Sequence, residues 1–434
     1  MALGRSGLGG LARQLRCFSA AAAQADVVSE MIGYARGSFK SNHEQALDVL
    51  KSGLQYMTTG PDAGRLYLAQ AEIEADRNRW PEVADLARRA ATAASEAEAA
   101  SAQEALVVAE VELQAECINA RAALAQGRDA DAFKAAQVSM EVARKSFTAT
   151  GAEDRRWQGL VLASSTAGMV QHAASEFVSA GENFGAVLVL AGHQDLRQGP
   201  PPERDHMIPE ALKQAAAFRL SEGLAGEAQL LGARAAKAAE AAASSAKGST
   251  DVLLSPVFTG EVLADAWLVE AQASMAAAAW DDAERALSDA LAAAEAVSGE
   301  QCVRVALVLL LTAHAYSRTG RVTLAEGLYR EAAKMLGLGP GHTEDVDIKV
   351  VHPSVASLLA WRYAQLLTAL PRRTTEASAW EKLARALHEE APIGGLGAAP
   401  ETAFGSLDAL KGKGSAGRGI VLDLMCRRVL PCQL

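Results

Sequence analysis

His342, Asp345, Asp347 and His352 are side chains that ligate divalent metals, and they lie three, two and five residues apart along the chain. That spacing matches no metal-ligand motif. His352 is followed by Pro353, Ser354 and Val355, which reads instead as a helix start. The five cysteines, Cys17, Cys117, Cys302, Cys426 and Cys432, contain no Cys-x-x-Cys pair and no histidine at zinc-ligand spacing, so they read as reduced thiols. Lys411-Gly412-Lys413-Gly414-Ser415 has the composition of a phosphate loop but lacks a preceding strand, a spaced upstream glycine and a Ser or Thr directly after Lys413. No nucleophile, base and orienting residue can be assigned together. The expectation is therefore no enzyme: no catalytic residue, no cofactor and no metal.

The elements around these residues carry the stronger signal, a recurring spacing of small and bulky residues. Its clearest copy runs Ala313, Tyr316, Gly320, Ala325, Tyr329, Ala332. Small side chains at those offsets let two antiparallel helices approach closely, the glycine supplies the turn, and bulky residues fill the holes beside it. The same offsets appear at Ala71 with Val83, Ala87 and Ala90, at Ala120 with Gly127, Ala132 and Ala136, and at Val161 with Gly168, Ala173, Phe177 and Ala180. They return at Ala216 with Gly223, Ala228, Gly232 and Ala235, and at Ala271 with Ala278, Ala283, Leu287 and Ala290. Tyr34 with Ala46, Leu50 and Gly53 is a degenerate copy, and Ala364 with Ala377 and Ala384 fits if one residue is inserted after Pro371. Trp80, Val170 and Trp280 fall two residues after the expected turn, where an apolar side chain tucks between helices.

Half of the 434 residues are hydrophobic but only 5% are aromatic, and much of the apolar count is alanine. Alanine favours helix while burying little area. No apolar run reaches the roughly 20 residues that cross a bilayer. The net charge of -10 disfavours a general nucleic-acid binder, which needs clustered Lys and Arg, and favours protein partners with basic surfaces.

Residues 1–25 contain no acid, and Arg5, Arg13 and Arg16 alternate with Leu8, Leu11, Leu15 and Phe18. This basic, amphipathic, acid-free stretch has the character of an organelle transit peptide. Arg16-Cys17-Phe18-Ser19 resembles the processing site of plant mitochondrial presequences, which implies cleavage near Ser19 and a mitochondrial matrix address; chloroplast and cytosol are the alternatives. Residues 27–198 and 209–390 then form two blocks of repeats around a proline-rich break at 199–208. Eight glycines between Gly394 and Gly419 predict that 391–434 is a flexible Gly-rich tail, with a local docking of Ile420 to Met425 the one ordered element left room for.

These repeats resemble the tetratricopeptide (TPR) superfamily over about residues 27–390. The anchors do not keep that family's usual period of about 34 residues. A spacing of 42 residues from Ala271 to Ala313, His352-Pro353-Ser354-Val355-Ala356 and Ala325-Glu326-Gly327-Leu328-Tyr329-Arg330-Glu331-Ala332 resemble the kinesin-light-chain-like subgroup. The resemblance implies an all-α, right-handed superhelical solenoid of antiparallel helix pairs, with first helices lining a concave groove. On that basis Arg121, Lys213, Gln272, His314, Arg318, Trp361 and Gln365 are the candidate groove-binding residues. The paired Lys and Asn of a carboxylate clamp are not visible. The implied function is a protein-protein interaction scaffold in an organelle, aiding assembly or maintenance of a mitochondrial complex. A cytosolic kinesin-light-chain-like cargo adaptor and an organellar RNA-associated helical-repeat factor are the alternatives.

Overall fold

The computed structural model of the chain describes residues 27–38, 42–96, 102–145, 153–193, 204–245, 252–253, 256–340, 351–391, 393, 399–412 and 419–433. Among the described residues, alanine-rich segments, most of them paired through left-handed turns, fold into eight successive helix pairs. These are α1 (Val27–Ser38) with α2 (His43–Leu54), α3 (Pro61–Asp76) with α4 (Trp80–Ser95), α5 (Ala102–Ala125) with α6 (Asp129–Lys145), and α7 (Glu153–Ala173) with α8 (Phe177–Leu190). They continue as α9 (Pro209–Ser221) with α10 (Ala225–Ser245), α11 (Pro256–Ala276) with α12 (Trp280–Ser298), α13 (Val303–Arg318) with α14 (Val322–Met335), and α15 (Pro353–Ala369) with α16 (Thr374–Glu390). Each helix packs chiefly on its chain neighbours, the arrangement of an all-α solenoid.

One turn geometry recurs inside the pairs. Its central residue is left-handed: Asn78, Gly127, Ser175, Gly223, Ala278 and Gly320 have φ between 57 and 78°. The next residue's N–H then reaches back to a carbonyl five residues earlier, as in Arg128 to Ala123 (2.8 Å), Glu176 to Gln171 (2.8 Å) and Arg321 to Tyr316 (2.9 Å). This is the Schellman closure, which satisfies carbonyls that a helix end leaves open. Arg372, at φ 64°, serves the last pair, one residue later in the repeat, where an insertion after Pro371 was expected. Behind the turns, Ala120, Ala132, Ala313, Ala325, Tyr329 and Ala332 are completely buried. Tyr329 stacks on Tyr363 of the next pair at 5.5 Å, so bulky positions bind neighbouring pairs together.

The fourth copy departs from its expected register. Its turn is at Ser175, seven residues beyond Gly168, which lies within α7. A Cβ on Gly168 would come within 2.9 Å of the Phe184 ring, so this glycine permits close helix packing and makes no turn. Seven residues are almost two helical turns, which returns a side chain to the same face and hides the slip from a face-based pattern. The apolar residue two beyond the turn is accordingly Phe177, and Val170 packs inside α7.

The second departure is the C-terminal segment, where a flexible tail was expected. Among its described residues are α17 (Pro400–Phe404), a 3-10 turn at Ala409–Lys411 and a β-hairpin. Strand β1 (Ile420–Asp423) pairs antiparallel with β2 (Arg428–Pro431), Val421 opposite Leu430 and Asp423 opposite Arg428. From Val421 to Cys432 every residue is buried. The glycines counted against order lie outside these two strands, which are aliphatic and β-branched and gain burial on both faces. His342, Asp345, Asp347 and Lys413 to Ser415 lie outside the described residues, as do residues 1–26 and 194–203. Residues Asp205–Met207, at the end of the proline-rich break, form a 3-10 turn, and Asp205 accepts a hydrogen bond from His193 at 2.8 Å.

Candidate functional site

First helices border an inner channel that the hairpin fills: Leu124 of α5, His172 of α7, Lys213 of α9, Gln272 of α11 and Ser354 of α15 each contact it. Gln272 on α11 grips one strand residue at both ends: its Nε2 donates to the Leu422 carbonyl (2.9 Å) and its Oε1 accepts the Leu422 N–H (2.8 Å). Asp265, two turns earlier on the same helix, accepts the Leu424 N–H at 3.0 Å. From other helices, His172 Nε2 meets the Pro431 carbonyl (3.0 Å), the Ser221 carbonyl accepts the Gln433 N–H (2.9 Å), and Ser354 Oγ accepts the Val429 N–H (3.2 Å). These contacts replace the ladder partners that edge strands otherwise lack.

Charged contacts fix the hairpin's register. Lys213 Nζ lies 2.7 Å from Asp423 and 2.8 Å from Asp265, with all three side chains 0–1% exposed. Burial works against the Lys213 ammonium, but the two carboxylates outweigh it and raise its pKa. Arg428 donates to Asp129 at 3.0 Å. Arg427, left-handed at φ 47° in the hairpin turn, lies over the Trp80 ring at 4.9 Å. Beside it, Glu261 receives Arg304 Nε at 3.1 Å and faces Arg121 and Arg427 at 3.9 Å.

The channel wall closes across distant pairs. Arg304 of α13 donates to Asp76 of α3, which also accepts from Ser298 (2.6 Å) and meets His43 (3.1 Å). Burial pushes the Asp76 carboxyl up, but the His43 hydrogen bond and the Arg304 charge prevail and hold it well below the usual range. Burial lowers His172 to about 4 and, with Arg428 nearby, His352 to about 3, so both are neutral at pH 7. His352 accepts the Ser354 N–H (3.2 Å) as the cap of α15, which is what its sequence context indicates.

The candidate groove residues separate into two groups. Lys213 and Gln272 hold the hairpin, while Trp361 donates to the Gly405 carbonyl (2.9 Å) and Gln365 to that of Ser406 (2.8 Å), in the segment leading to it. Arg121 is buried against Glu210 (2.7 Å) and the Phe258 ring (4.4 Å). His314 is half-buried, and burial with Arg362 and Arg318 nearby lowers its pKa well below the usual value. Arg318 is exposed. Sequence reasoning missed Asp265, Glu261, Ser354, Met169 and His172. Met169, whose Sδ lies 3.2 Å from the hairpin's Cys426 Sγ, follows from moving the fourth copy's register to Ser175, being one residue past the new anchor Gly168 as Gln272 is past Ala271; the other four carry no spacing signal.

On the outside, an open groove of about 690 Å³ between α6, α7 and α8 is lined by Phe133, Met140, Arg144, Gln171 and Asn183. A second, of about 570 Å³ between α12 and α13, is lined by Asp281, Glu284, Arg285, Asp289 and Tyr316. Among the described residues no helix is long and apolar enough to cross a membrane, and no group of three or more His, Cys, Asp or Glu could hold a metal.

No protein-family model matches the chain, and no curated protein matches it. Among solved structures, it is similar to the crystal structure of BtubC (BKLC) from P. vanneervenii, with 18% identity and a TM-score of 0.42 over 59% of this chain and 90% of that one.

Proposed function

We propose that the chain is a protein-interaction scaffold whose outer face, rather than its inner channel, receives the partner. The observation that carries this reading is the channel's occupant: among the described residues, the inner channel is filled by a hairpin buried from Val421 to Cys432. What remains open is the outer surface and its grooves between pairs. The groove at Asp281, Glu284 and Asp289 suits a partner with a basic surface. The acid-free, arginine-bearing start of the sequence supports a mitochondrial setting, and on that footing the scaffold would serve assembly or upkeep of a mitochondrial complex.

Proximity labelling from the full chain in cells tests the scaffold reading. A reproducible set of organellar proteins that weakens when Asp281 and Asp289 are changed to Lys is the expected result. Labelling indistinguishable from an unfused labelling enzyme in the same compartment would sink it. Fusion of residues 1–30 to a fluorescent reporter tests the address separately, since a diffuse cytosolic signal favours the cargo-adaptor alternative.

A further inference from the structure

The cluster of Lys213, Asp265 and Asp423 joins three segments far apart in sequence, α9, α11 and the end of β1, at one buried point. One ammonium faces two carboxylates there, so one negative charge is left over in a site with no water access unless a carboxyl holds a proton. The carboxyls cannot swing away. Asp423 Oδ1 accepts the Cys426 N–H at 2.7 Å, and Asp265 Oδ1 accepts the Leu424 N–H at 3.0 Å. Their Oδ2 atoms therefore both face Lys213 Nζ, at 2.7 and 2.8 Å.

We propose that this cluster is a modification site, in which Lys213 and Asp423 condense to an intramolecular isopeptide bond with Asp265 moving the protons. The ammonium first passes a proton to Asp265, freeing the amine. Burial, then the charge of Asp423, raise the Asp265 carboxyl and suit it to take that proton. Asp265 hands that proton to Asp423 Oδ2, and the amine attacks Cγ of the now neutral carboxyl, forming the C–N bond, while the Cys426 N–H steadies the charge that develops on Oδ1. Asp265 then collects a second proton from the nitrogen and delivers it to Oδ2 as well. The Cγ–Oδ2 bond breaks and the oxygen leaves as water. Of the three ammonium protons, two depart in that water and one stays on the amide nitrogen; Asp265 ends as it began, and nothing is oxidised or reduced.

Two physical factors favour condensation over a resting ion pair. Fixed geometry gives effective concentrations on the order of 10⁵ to 10⁸ M. Replacing an ammonium and a carboxylate by a neutral amide also removes two buried charges. The product would tie the hairpin to α9 and fill the channel permanently, whatever binds outside.

Intact mass spectrometry of the full chain under denaturing conditions is the test. The expected mass is lower than the sequence mass by one water, with a branched tryptic peptide that contains uncleaved Lys213 joined to Asp423. Lys213→Arg restores the full mass. Asp265→Asn, which keeps both reacting groups, does so as well while circular dichroism reports a retained helical fold. A wild-type mass equal to the sequence, or a water loss mapped to any other site, overturns the proposal and leaves a buried ion pair.

Discussion

First and second helices of the pairs obey different rules. On α4 and α12 one face is buried alanine, with Val83 and Leu287 among them, and the opposite face is exposed charge such as Arg88, Arg89, Asp282 and Arg285. On α9 and α11 burial runs almost around the helix and takes in Lys213, Gln214, Glu261, Asp265 and Gln272. A helix with no solvent face must have a neighbour on every side. For α9 and α11 that extra neighbour is the hairpin. Polar residues such as Lys213, Asp265 and Gln272 on these two helices are therefore interior partners, whereas Arg88, Arg89, Asp282 and Arg285 on the second helices are solvated.

Removing the hairpin should erase that difference. Val421, Leu422, Leu424, Met425, Val429 and Leu430 are buried. At about 1.5–3 kcal/mol each their loss is comparable to the whole stability of a typical protein, about 5–15 kcal/mol. Deletion of residues 419–434 should abolish the single cooperative melting transition, checked by calorimetry; a retained sharp transition would show that the first helices do not need it. Lys213→Met leaves Asp265 and Asp423 facing each other, and should cost about 3–5 kcal/mol in urea unfolding. The isosteric change on both acids together with Lys213→Met should recover part of it.

The neutral interior also sets a pH dependence. His172 is held near 4 in the fold, whereas an unfolded histidine protonates below about 6.5. Its contribution is present above pH 6.5 and is lost as pH falls toward 4, about 3 kcal/mol in full. Asp265, raised by burial, acts in the opposite sense, being favourable when protonated and losing that contribution as pH rises. Stability curves of His172→Gln and wild type, compared between pH 4 and 7, isolate the histidine: the variant should show the weaker loss on acidification. Gly168→Ala should destabilise by about 1–3 kcal/mol through the Phe184 ring, in thermal melts. The smallest effect belongs to an outer helix. Arg285→Ala, which removes an exposed pair with Asp282, should change stability by less than about 0.5 kcal/mol.

Much of the array was legible because close helix packing demands small residues at fixed offsets. Ala313, Ala325, Tyr329 and Ala332 are completely buried, as their spacing requires, while Lys213, Gln272, Trp361 and Gln365, expected on an open groove, are buried against the chain's own C-terminal segment. The fourth copy was misplaced because alanine and glycine satisfy small positions at either of two registers almost two helical turns apart. The tail was misjudged for a different reason. Glycine content lowers local propensity, but β1 and β2 are held by partners 75 to 210 residues away, such as Ser354, Gln272 and Lys213.

The sequence by itself determined the helix pairs, since their turns, faces and close contacts depend on residues within a few tens of positions. Which polar groups would be buried, and what would occupy the centre, was decided only when the array curved until α3 met α13 and the last residues entered. A strand without a neighbour of its own takes its hydrogen bonds and its register from whatever surrounds it, and that surrounding exists only in three dimensions.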